Sequence, residues 1–248
     1  MLATDRCGRN CEQDPRPVPR IADMNPRPAL LLLFALCATA PLAEAAPTQY
    51  ALDPVHTRVL FAIDHAGFSK ALGTVSGSEG HLRFDPDNWP AAQLEVSVPL
   101  TRLDLGDAKW NQAVLARNLL DGERFPQAHF ISTRVEPVDA NHAKVFGTLT
   151  LHGVSREIAL DVTFNQLKRH PLPPFHRTAG FSATATLSRA DFGIDAWKSV
   201  IGDEVQLRIE AEAIRQGKAS DDDAPPPAPA PEPAPAPVSA EPAKDTTP

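Results

Sequence analysis

The sequence predicts an all-β fold, an antiparallel β-barrel of about eight strands with one short helix. Apolar and polar residues alternate over several segments, most clearly at Ile158, Leu160, Val162 and Phe164. A period of two is typical of antiparallel strands that bury one face. Turn-forming residues separate the segments, and closing the sheet into a barrel would remove its exposed edges.

The strand segments are taken in chain order. Their alternating apolar series are Val59, Phe61 and Ile63; Leu94, Val96 and Val98; Val145, Leu149 and Leu151, which alternate with Phe146, Thr148 and Thr150; Ile158 to Phe164; Phe181, Ala183, Ala185 and Leu187; and Val205, Leu207, Ile209 and Ala211. Turns are predicted at residues 85–88, 139–142, 152–153 and 171–174, which are rich in Asp, Asn, Gly and Pro.

One segment departs from the alternation. Between residues 107 and 120 the apolar residues recur with helical spacing, at Trp110, Val114, Leu115 and Leu119. Asp107 can cap the start of this helix, and Gly122 follows its end. The sequence leaves open whether the helix covers one end of the barrel or fills a gap between strands.

The chain has 248 residues and a formal net charge of −7. Much of the negative charge lies after Gly217, and the central part is only mildly acidic. A nucleic-acid partner would require a basic face, so nucleic acid is not an expected partner.

Residues 24–45 are predicted to be a secretory signal peptide. Arg27 precedes an apolar stretch from Ala29 to Ala38, and a small-x-small cleavage site follows at residues 43–45. About ten apolar residues are too few to span a bilayer, so no stable membrane insertion is expected. A buried helix is the alternative, which Pro41 disfavours, and lipidation at Cys37 is disfavoured by Leu36.

The predicted folded domain covers residues 46–216. Residues 1–23 are polar and would place the apolar stretch too deep, so they are interpreted as an untranslated or disordered extension. Residues 217–248 form an acidic tail rich in Pro and Ala, which is expected to be extended and unpacked.

The sequence contains no Gly-x-Ser-x-Gly elbow, phosphate-binding Gly loop or His-Glu-x-x-His pair, and therefore predicts no catalytic residues, metal site or cofactor. His152 is interpreted as serving the turn at Gly153, and His56 and His65 as bonding backbone carbonyls. Three further charged residues are interpreted as barrel-closing ion pairs or turn caps, namely Asp53, Arg189 and Asp191.

Four segments in this order resemble the YceI-like family of lipid- and polyisoprenoid-binding proteins. They are Asp-Pro-Val-His-Thr at 53–57, the stretch 145–155, Arg-Ala-Asp-Phe-Gly at 189–193 and Ile-Gly-Asp-Glu-Val at 201–205. The resemblance runs from about Gln49 to Ile214 and implies a lipocalin-like barrel that holds a long isoprenoid or a similar amphiphile. Tyr50 departs from it, because the family often has Trp there, and residues 73–77 lack the family's aromatic residues.

Together with the predicted signal peptide, the resemblance predicts a periplasmic protein that sequesters or carries a polyprenyl or quinone-like lipid, or a related amphiphile. The expected cavity-lining residues are Phe61, Phe146, Thr148, Leu160, Val162, Phe164, Phe181, Ala183 and Ala185. From the residues alone, a fully packed barrel without a cavity is an equal alternative. A lipid-modifying enzyme that uses the same cavity and a partner-binding module that acts through the tail are the competing functions, and a homodimer is left open.

Overall fold

The computed structural model describes residues 47–217, which belong to one compact unit. The predictions for the extension at 1–23, the signal peptide at 24–45 and the tail beyond residue 217 lie outside the described residues.

Eleven strand segments and one α-helix make up this part of the chain. The strands are β1 (Thr48–Leu52), β2 (Arg58–His65), β3 (Ser69–Ser76), β4 (Glu79–Phe84), β5 (Gln93–Pro99), β6 (Leu103–Asp104), β7 (Gln127–Pro137), β8 (His142–Leu151), β9 (Val154–Arg169), β10 (Arg177–Ser188) and β11 (Ile201–Arg215). The helix α1 spans Ala108–Leu115, and short 3₁₀ turns lie at Trp89–Ala91, Leu100–Arg102 and Ala190–Phe192.

The strands pair antiparallel in one sheet of order β1-β4-β5-β7-β8-β9-β10-β11-β2-β3-β6, and a β1–β11 pairing closes it. Strands β1 and β2 both pair with β11. On their other sides, β1 pairs with β4 and β2 pairs with β3. In the same way, β4 pairs with β5 and β3 pairs with β6. Each of the three couples, β1 with β2, β3 with β4 and β5 with β6, acts as one bent strand, so the eleven segments form eight strands around the barrel. The predicted antiparallel eight-stranded barrel with one helix is confirmed.

The register contains a bulge that matters for the core. Phe164 of β9 pairs with Phe181, whereas Gln166 pairs with Gly180, so Asn165 is an extra residue on β9. A bulge of this kind bends the strand and moves the inward face from even to odd residue numbers.

The antiparallel connections place every second loop at the same end of the barrel. The helix end carries the β2–β3 turn, the segment with α1, the β8–β9 turn and the long β10–β11 connection. The terminal end carries the β4–β5, β7–β8 and β9–β10 connections, together with residues 47 and 217.

The helix is shorter than predicted. Asp107 caps α1 as expected, because its carboxylate accepts hydrogen bonds from the backbone N–H groups of Lys109 and Trp110. However, α1 ends at Leu115, and the N–H of Gly122 donates to the Leu115 carbonyl. Tight turns replace the predicted last helical turn because they satisfy the helix-terminal carbonyls that would otherwise lack partners. Within residues 47–217, no helix is long and apolar enough to cross a membrane.

An aromatic cluster closes the terminal end. Phe84 is fully buried, and its ring lies 5.2 Å from both Trp89 and Phe164 and 5.3 Å from Phe181. Edge-on and tilted contacts at these distances are favourable for aromatic rings. A second, smaller cluster of Leu119, Leu187, Phe192 and Ile194 lies at the helix end.

Candidate functional site

A cavity of about 810 Å³ occupies the barrel interior between these two clusters. Its wall is almost entirely apolar and is contributed by all the long strands and by α1. Val59, Ile63, Val98 and Ile209 face this interior but are only half-buried. Inward-facing side chains remain half-buried when they border open space, since a packed core would cover them. The barrel therefore contains room for a ligand, and the fully packed alternative is wrong.

Five of the nine residues predicted to line the cavity lie on its wall, namely Phe61, Leu160, Val162, Phe181 and Ala183. Phe164 faces inward but belongs to the aromatic cluster that closes the terminal end. Ala185 also packs against the core from the inward face and does not reach the cavity wall. Direct contact between these residues and a ligand remains a prediction.

Phe146 and Thr148 are on the outer face of the barrel, which corrects the prediction for these two residues. The guanidinium of Arg134 lies 4.0 Å from the centre of the Phe146 ring. Thr148 pairs with Ile131, whose side chain is exposed. Strand β8 turns Val145, Leu149 and Leu151 inward instead.

Gly147 explains this choice of face. A Cβ atom at Gly147 would lie 2.4 Å from the ring of Phe130, which therefore occupies the space that a side chain would need. Glycine in a strand permits this kind of close approach. The inward face of β8 is thus the one that contains Gly147, and the Phe146 face is outside.

The sequence predictions did not include the lining at the helix end. Trp110, Val114 and Leu119 from the α1 segment line the cavity, together with Trp197 and Val200 from the β10–β11 connection. Helical spacing had identified the first three as one face of a helix, and their place on the cavity wall shows that α1 covers this end of the barrel. No periodic pattern marked Trp197 or Val200, because they lie in a loop.

Arg189 fixes the β10–β11 connection. Its buried guanidinium donates to the carbonyls of Gly202 (2.7 Å), Ile194 (2.7 Å) and Ile201 (2.9 Å). The sequence predicted a barrel-closing ion pair or a turn cap for Arg189. The ion pair is wrong, because the guanidinium bonds backbone carbonyls of the connection and no carboxylate of the described residues, and these bonds correspond to the second alternative. Three charge-assisted hydrogen bonds in a buried setting hold this loop in a defined position.

The three histidines interpreted from the sequence have three different roles in the structure. His152 adopts a left-handed conformation (φ 52°) before Gly153 (φ 75°), as the tight turn requires, and its Nδ1 lies 3.1 Å from the Phe192 carbonyl oxygen. The ring of His65 packs against Trp110 at 5.4 Å and borders the cavity. His56 bonds the carboxylate of Asp53 at 2.8 Å. Neither His65 nor His56 makes the predicted bond to a backbone carbonyl.

A group of three side chains offers metal-ligand atoms outside the cavity. Those of Asp53, His56 and Glu212 lie within 4.8 Å of one another. A carboxylate–imidazole set is chemically suited to zinc or a similar ion. The Nδ1 atom of His56 is already bonded to Asp53, and Asp53 also accepts the backbone N–H of Val55. These contacts account for the arrangement as a support for the β1–β2 junction.

The Asp53–His56 pair predicts a pH-dependent contribution to stability. The hydrogen bond from Asp53 raises the pKa of His56. Burial acts to raise the pKa of Asp53, but its hydrogen bonds from His56 and Val55 hold it below its usual value. The histidine's contribution is present below its unfolded pKa and lost as pH rises through the raised value, whereas that of Asp53 is lost as pH falls through the lowered value.

The melting temperature of the His56→Ala variant should therefore lie below that of the unmodified chain, and the difference should be largest between about pH 4 and pH 6.5. The loss should correspond to less than about 1 kcal/mol because the pair is exposed. Thermal unfolding followed by circular dichroism at a series of pH values measures this for both proteins. A deficit that does not vary with pH, or that is greatest at alkaline pH, would contradict the assignment.

The closed antiparallel barrel with an apolar interior defines the class of protein, a lipocalin-like barrel with one internal cavity. Comparison with known protein families identifies the family within this class. The chain belongs to the YceI-like family, whose domain model matches residues 50–213.

Curated relatives agree with this assignment. A UPF0312 protein of Pseudomonas savastanoi is 33% identical over 153 residues, covering 61% of this chain and 79% of that protein. A UPF0312 protein of Pseudomonas putida is 30% identical over 175 residues, covering 70% and 90%.

Two solved structures share the fold. BcnA of Burkholderia cenocepacia superposes with a TM-score of 0.58 at 24% identity and covers 65% of this chain and 98% of its own. A polyisoprenoid binding domain from Saccharophagus degradans superposes with a TM-score of 0.51 at 16% identity and covers 67% and 98%.

Proposed function

We propose that this protein binds one long-chain isoprenoid, or a related amphiphilic lipid, inside the barrel and carries it without chemical change. The observation that carries the proposal is the apolar cavity of about 810 Å³, whose lining includes inward-facing side chains that are only half-buried. Its volume lies within the range of pockets that enclose small ligands. An apolar wall stabilises an apolar chain of any head group, so the site suits a class of lipids defined by their tails.

The cavity volume sets the length of the buried tail. At roughly 30 Å³ for a water-sized group, about 810 Å³ holds about 27 such groups, equivalent to about five isoprene units. Each buried methylene contributes roughly 0.8 kcal/mol, so a tail of this length provides ample binding energy even after ordering costs are subtracted. Trp110, Trp197 and Val200 line the cavity and are also exposed to solvent, so the cavity opens beside them at the helix end, and we call this opening the mouth. A longer tail would leave its remaining units outside the mouth.

The polar groups on the wall indicate how the ligand is oriented. Asp64, His65 and Asn118 border the cavity near the helix end. Of the other uncharged polar residues on the wall, Thr57 donates to the Glu212 carbonyl and Gln93 accepts from Arg83, so these two are already engaged, and the aromatic cluster closes the terminal end. We therefore place the tail toward the aromatic cluster and the head group at the helix end. Among the described residues on the wall, Arg189 is the one with a permanent positive charge, and three carbonyls already accept its hydrogen bonds. This favours an uncharged head group, as in a prenyl alcohol or a quinone, over a phosphate.

The name of one structural neighbour supports the same ligand class. The Saccharophagus degradans structure is described as a polyisoprenoid binding domain, and it shares the barrel fold with this chain. Quinones and fatty acyl amphiphiles remain related candidates, because apolar burial distinguishes them only weakly.

The proposal is tested by titrating the full chain with a fluorescent prenyl probe and then competing the probe with an unlabelled prenyl alcohol of about five isoprene units. We expect saturable binding at one probe per chain, with full displacement by the alcohol. Unsaturable uptake of the probe, or no displacement at any concentration below the solubility limit, would reject a single enclosed site.

We propose a periplasmic location on the basis of the sequence at residues 24–45. The expected result is a mature N-terminus at Ala46 or within a residue or two of it, because the small-x-small site ends at Ala45. N-terminal sequencing of the protein isolated from the periplasm measures this. A mature product that retains Cys7 or Cys11, or one found only in the cytoplasm, would contradict it.

A further inference from the structure

Four exposed apolar side chains gather at the helix end of the barrel. Phe68 is 92% exposed, Trp197 60%, Trp110 44% and Val200 36%. We call these four residues the apolar rim. Large apolar side chains normally leave water, so a group of them at one place on the surface indicates a contact that the isolated chain does not make.

The members of the rim come from three segments that are bonded to or packed against one another. The backbone N–H of Phe68 donates to the carbonyl of His65 (3.1 Å), and that of Ala66 donates to Val200 (2.6 Å). The His65 ring in turn contacts Trp110 at 5.4 Å. The β2–β3 turn is thus bonded to the β10–β11 connection on one side and packed against α1 on the other.

The rim is also continuous with the cavity. Trp110, Trp197 and Val200 are exposed to solvent and line the cavity wall at the same time. An apolar surface formed by these three side chains therefore runs from outside the barrel to its interior, beside the polar groups of Asp64, His65 and Asn118. A ligand tail that leaves a lipid phase at the rim would reach the cavity without passing through water.

Trp197 is held outward at a conformational cost. Its φ of 59° lies in the left-handed region, which is unusual for a bulky residue. The carbonyl of Trp197 accepts the N–H groups of Val200 and Ile201, both at 2.8 Å, and these bonds maintain the conformation. The loop thus fixes a large indole at the helix end with 60% of its surface exposed to solvent.

The charges around the rim balance. Asp64 lies opposite Lys70 in the β2–β3 register, and Lys198 pairs with Asp195 at 3.2 Å. Lys109 follows Asp107 at the start of α1. A surface that attracts anionic lipids carries an excess of Lys and Arg, which this rim does not have. Tryptophan and phenylalanine without net charge are suited to the interfacial region of a zwitterionic bilayer.

The chain's own outer segments attach far from this surface. Residues 47 and 217 lie at the terminal end, whereas the rim lies at the helix end. The segments that precede and follow the described residues thus begin at the opposite end of the barrel. The segment after residue 217 is acidic and rich in Pro and Ala, and the apolar stretch before residue 47 belongs to the predicted signal peptide, so neither is suited to cover the rim in the mature protein. An external partner is therefore the better occupant of the rim.

We propose that the apolar rim docks this protein on the surface of a zwitterionic lipid bilayer, with the cavity mouth facing the membrane. This proposal rests on the proposed function, because it supplies the route by which a water-insoluble tail enters and leaves the barrel. Docking would be peripheral and reversible, since a few side chains reach only the interfacial region.

The test measures partition of the full chain onto phosphatidylcholine vesicles by flotation. The Phe68→Ser variant should reduce the partition coefficient by about tenfold, because a fully exposed phenylalanine is lost from the rim. Adding Trp197→Asn should reduce it further, since Asn tolerates the left-handed conformation. The matched control is the Val138→Ser/Leu172→Ser double variant, which removes side chains of 71% and 64% exposure at the terminal end and should partition like the unmodified chain.

Binding of a short, water-soluble prenyl probe in the absence of vesicles separates this proposal from the proposed function. Phe68 does not line the cavity, so Phe68→Ser should bind the probe like the unmodified chain while losing vesicle partition. Docking is overturned if Phe68→Ser partitions onto vesicles as strongly as the unmodified chain. It is also overturned if the control variant loses as much partition as Phe68→Ser does. Partition that requires anionic lipid also overturns it. If the unmodified chain forms a dimer that the Phe68→Ser substitution dissociates, and does not bind vesicles, the rim is an interface with a second copy of this chain and membrane docking is overturned. Failure of the probe to bind any variant rejects the proposed function instead.

Discussion

The Leu160→Asp variant is expected to be unfolded at room temperature. Leu160 is buried on the inward face of β9, between the cavity and the core at the terminal end. A carboxylate there would have no cationic partner among the described residues. Its neighbour on β8 is Val145, and the cluster around it is apolar. Burying an unpaired charge costs several kcal/mol, which is a large part of the stability of an ordinary domain.

Asp161→Ser is the matched control for this prediction. Asp161 is the next residue on β9, points outward and bonds the Nζ atom of Lys144 at 2.5 Å on the surface. Losing an exposed ion pair should cost less than about 1 kcal/mol. Far-UV circular dichroism and thermal unfolding distinguish the two variants. Similar destabilisation of both, or a Leu160→Asp variant that melts like the unmodified chain, would show that the register of β9 is wrong.

The Ile209→Trp variant is expected to abolish binding of a prenyl probe while the barrel remains folded. Ile209 lies on the cavity wall in β11, half-buried, with Ala183 and Val59 as its pairing neighbours. An indole placed there extends into the open interior and occupies space that the tail needs. Overpacking a filled core costs about 1–3 kcal/mol, but open space should reduce that cost substantially.

Arg208→Trp provides the control on the opposite face of the same strand. Its side chain is exposed, so the same bulky residue at this position should leave probe binding unchanged. Probe titration and thermal unfolding are measured on both variants. Strong destabilisation by Ile209→Trp would mean that the interior is packed, and unchanged probe binding in a stable Ile209→Trp variant would place the lipid outside the barrel.

Strands with one apolar face could be predicted from the sequence. In β9 and β10 a single residue set is apolar, so Leu160, Val162 and Ala183 are placed inside by the alternation alone. Strand β8 has apolar residues on both faces, and there the same reasoning placed Phe146 inside although it lies outside under Arg134. The informative residue was Gly147, whose missing side chain is required by the Phe130 ring of the neighbouring strand.

Packing between distant segments could not be predicted. Phe164 faces inward as expected, yet its contact with Phe84 makes it part of the closed end and not of the wall. Trp197 reaches the mouth because Arg189 bonds three carbonyls of the β10–β11 connection, a geometry that no local pattern encodes. The end of α1 was likewise set by hydrogen bonds from the turn that follows it. The barrel wall follows local periodicity, whereas its two ends depend on long-range contacts.

Native mass spectrometry of the full chain, isolated without detergent and incubated with a prenyl alcohol of about five isoprene units, tests the central claim most directly. The account predicts one added lipid mass per chain for the unmodified protein and for Arg208→Trp, and none for Ile209→Trp. Organic extraction should then release the same lipid from the first two proteins only. An unmodified chain that gains no lipid mass, or an Ile209→Trp variant that gains as much as the unmodified chain, would contradict a lipid-binding cavity inside this barrel.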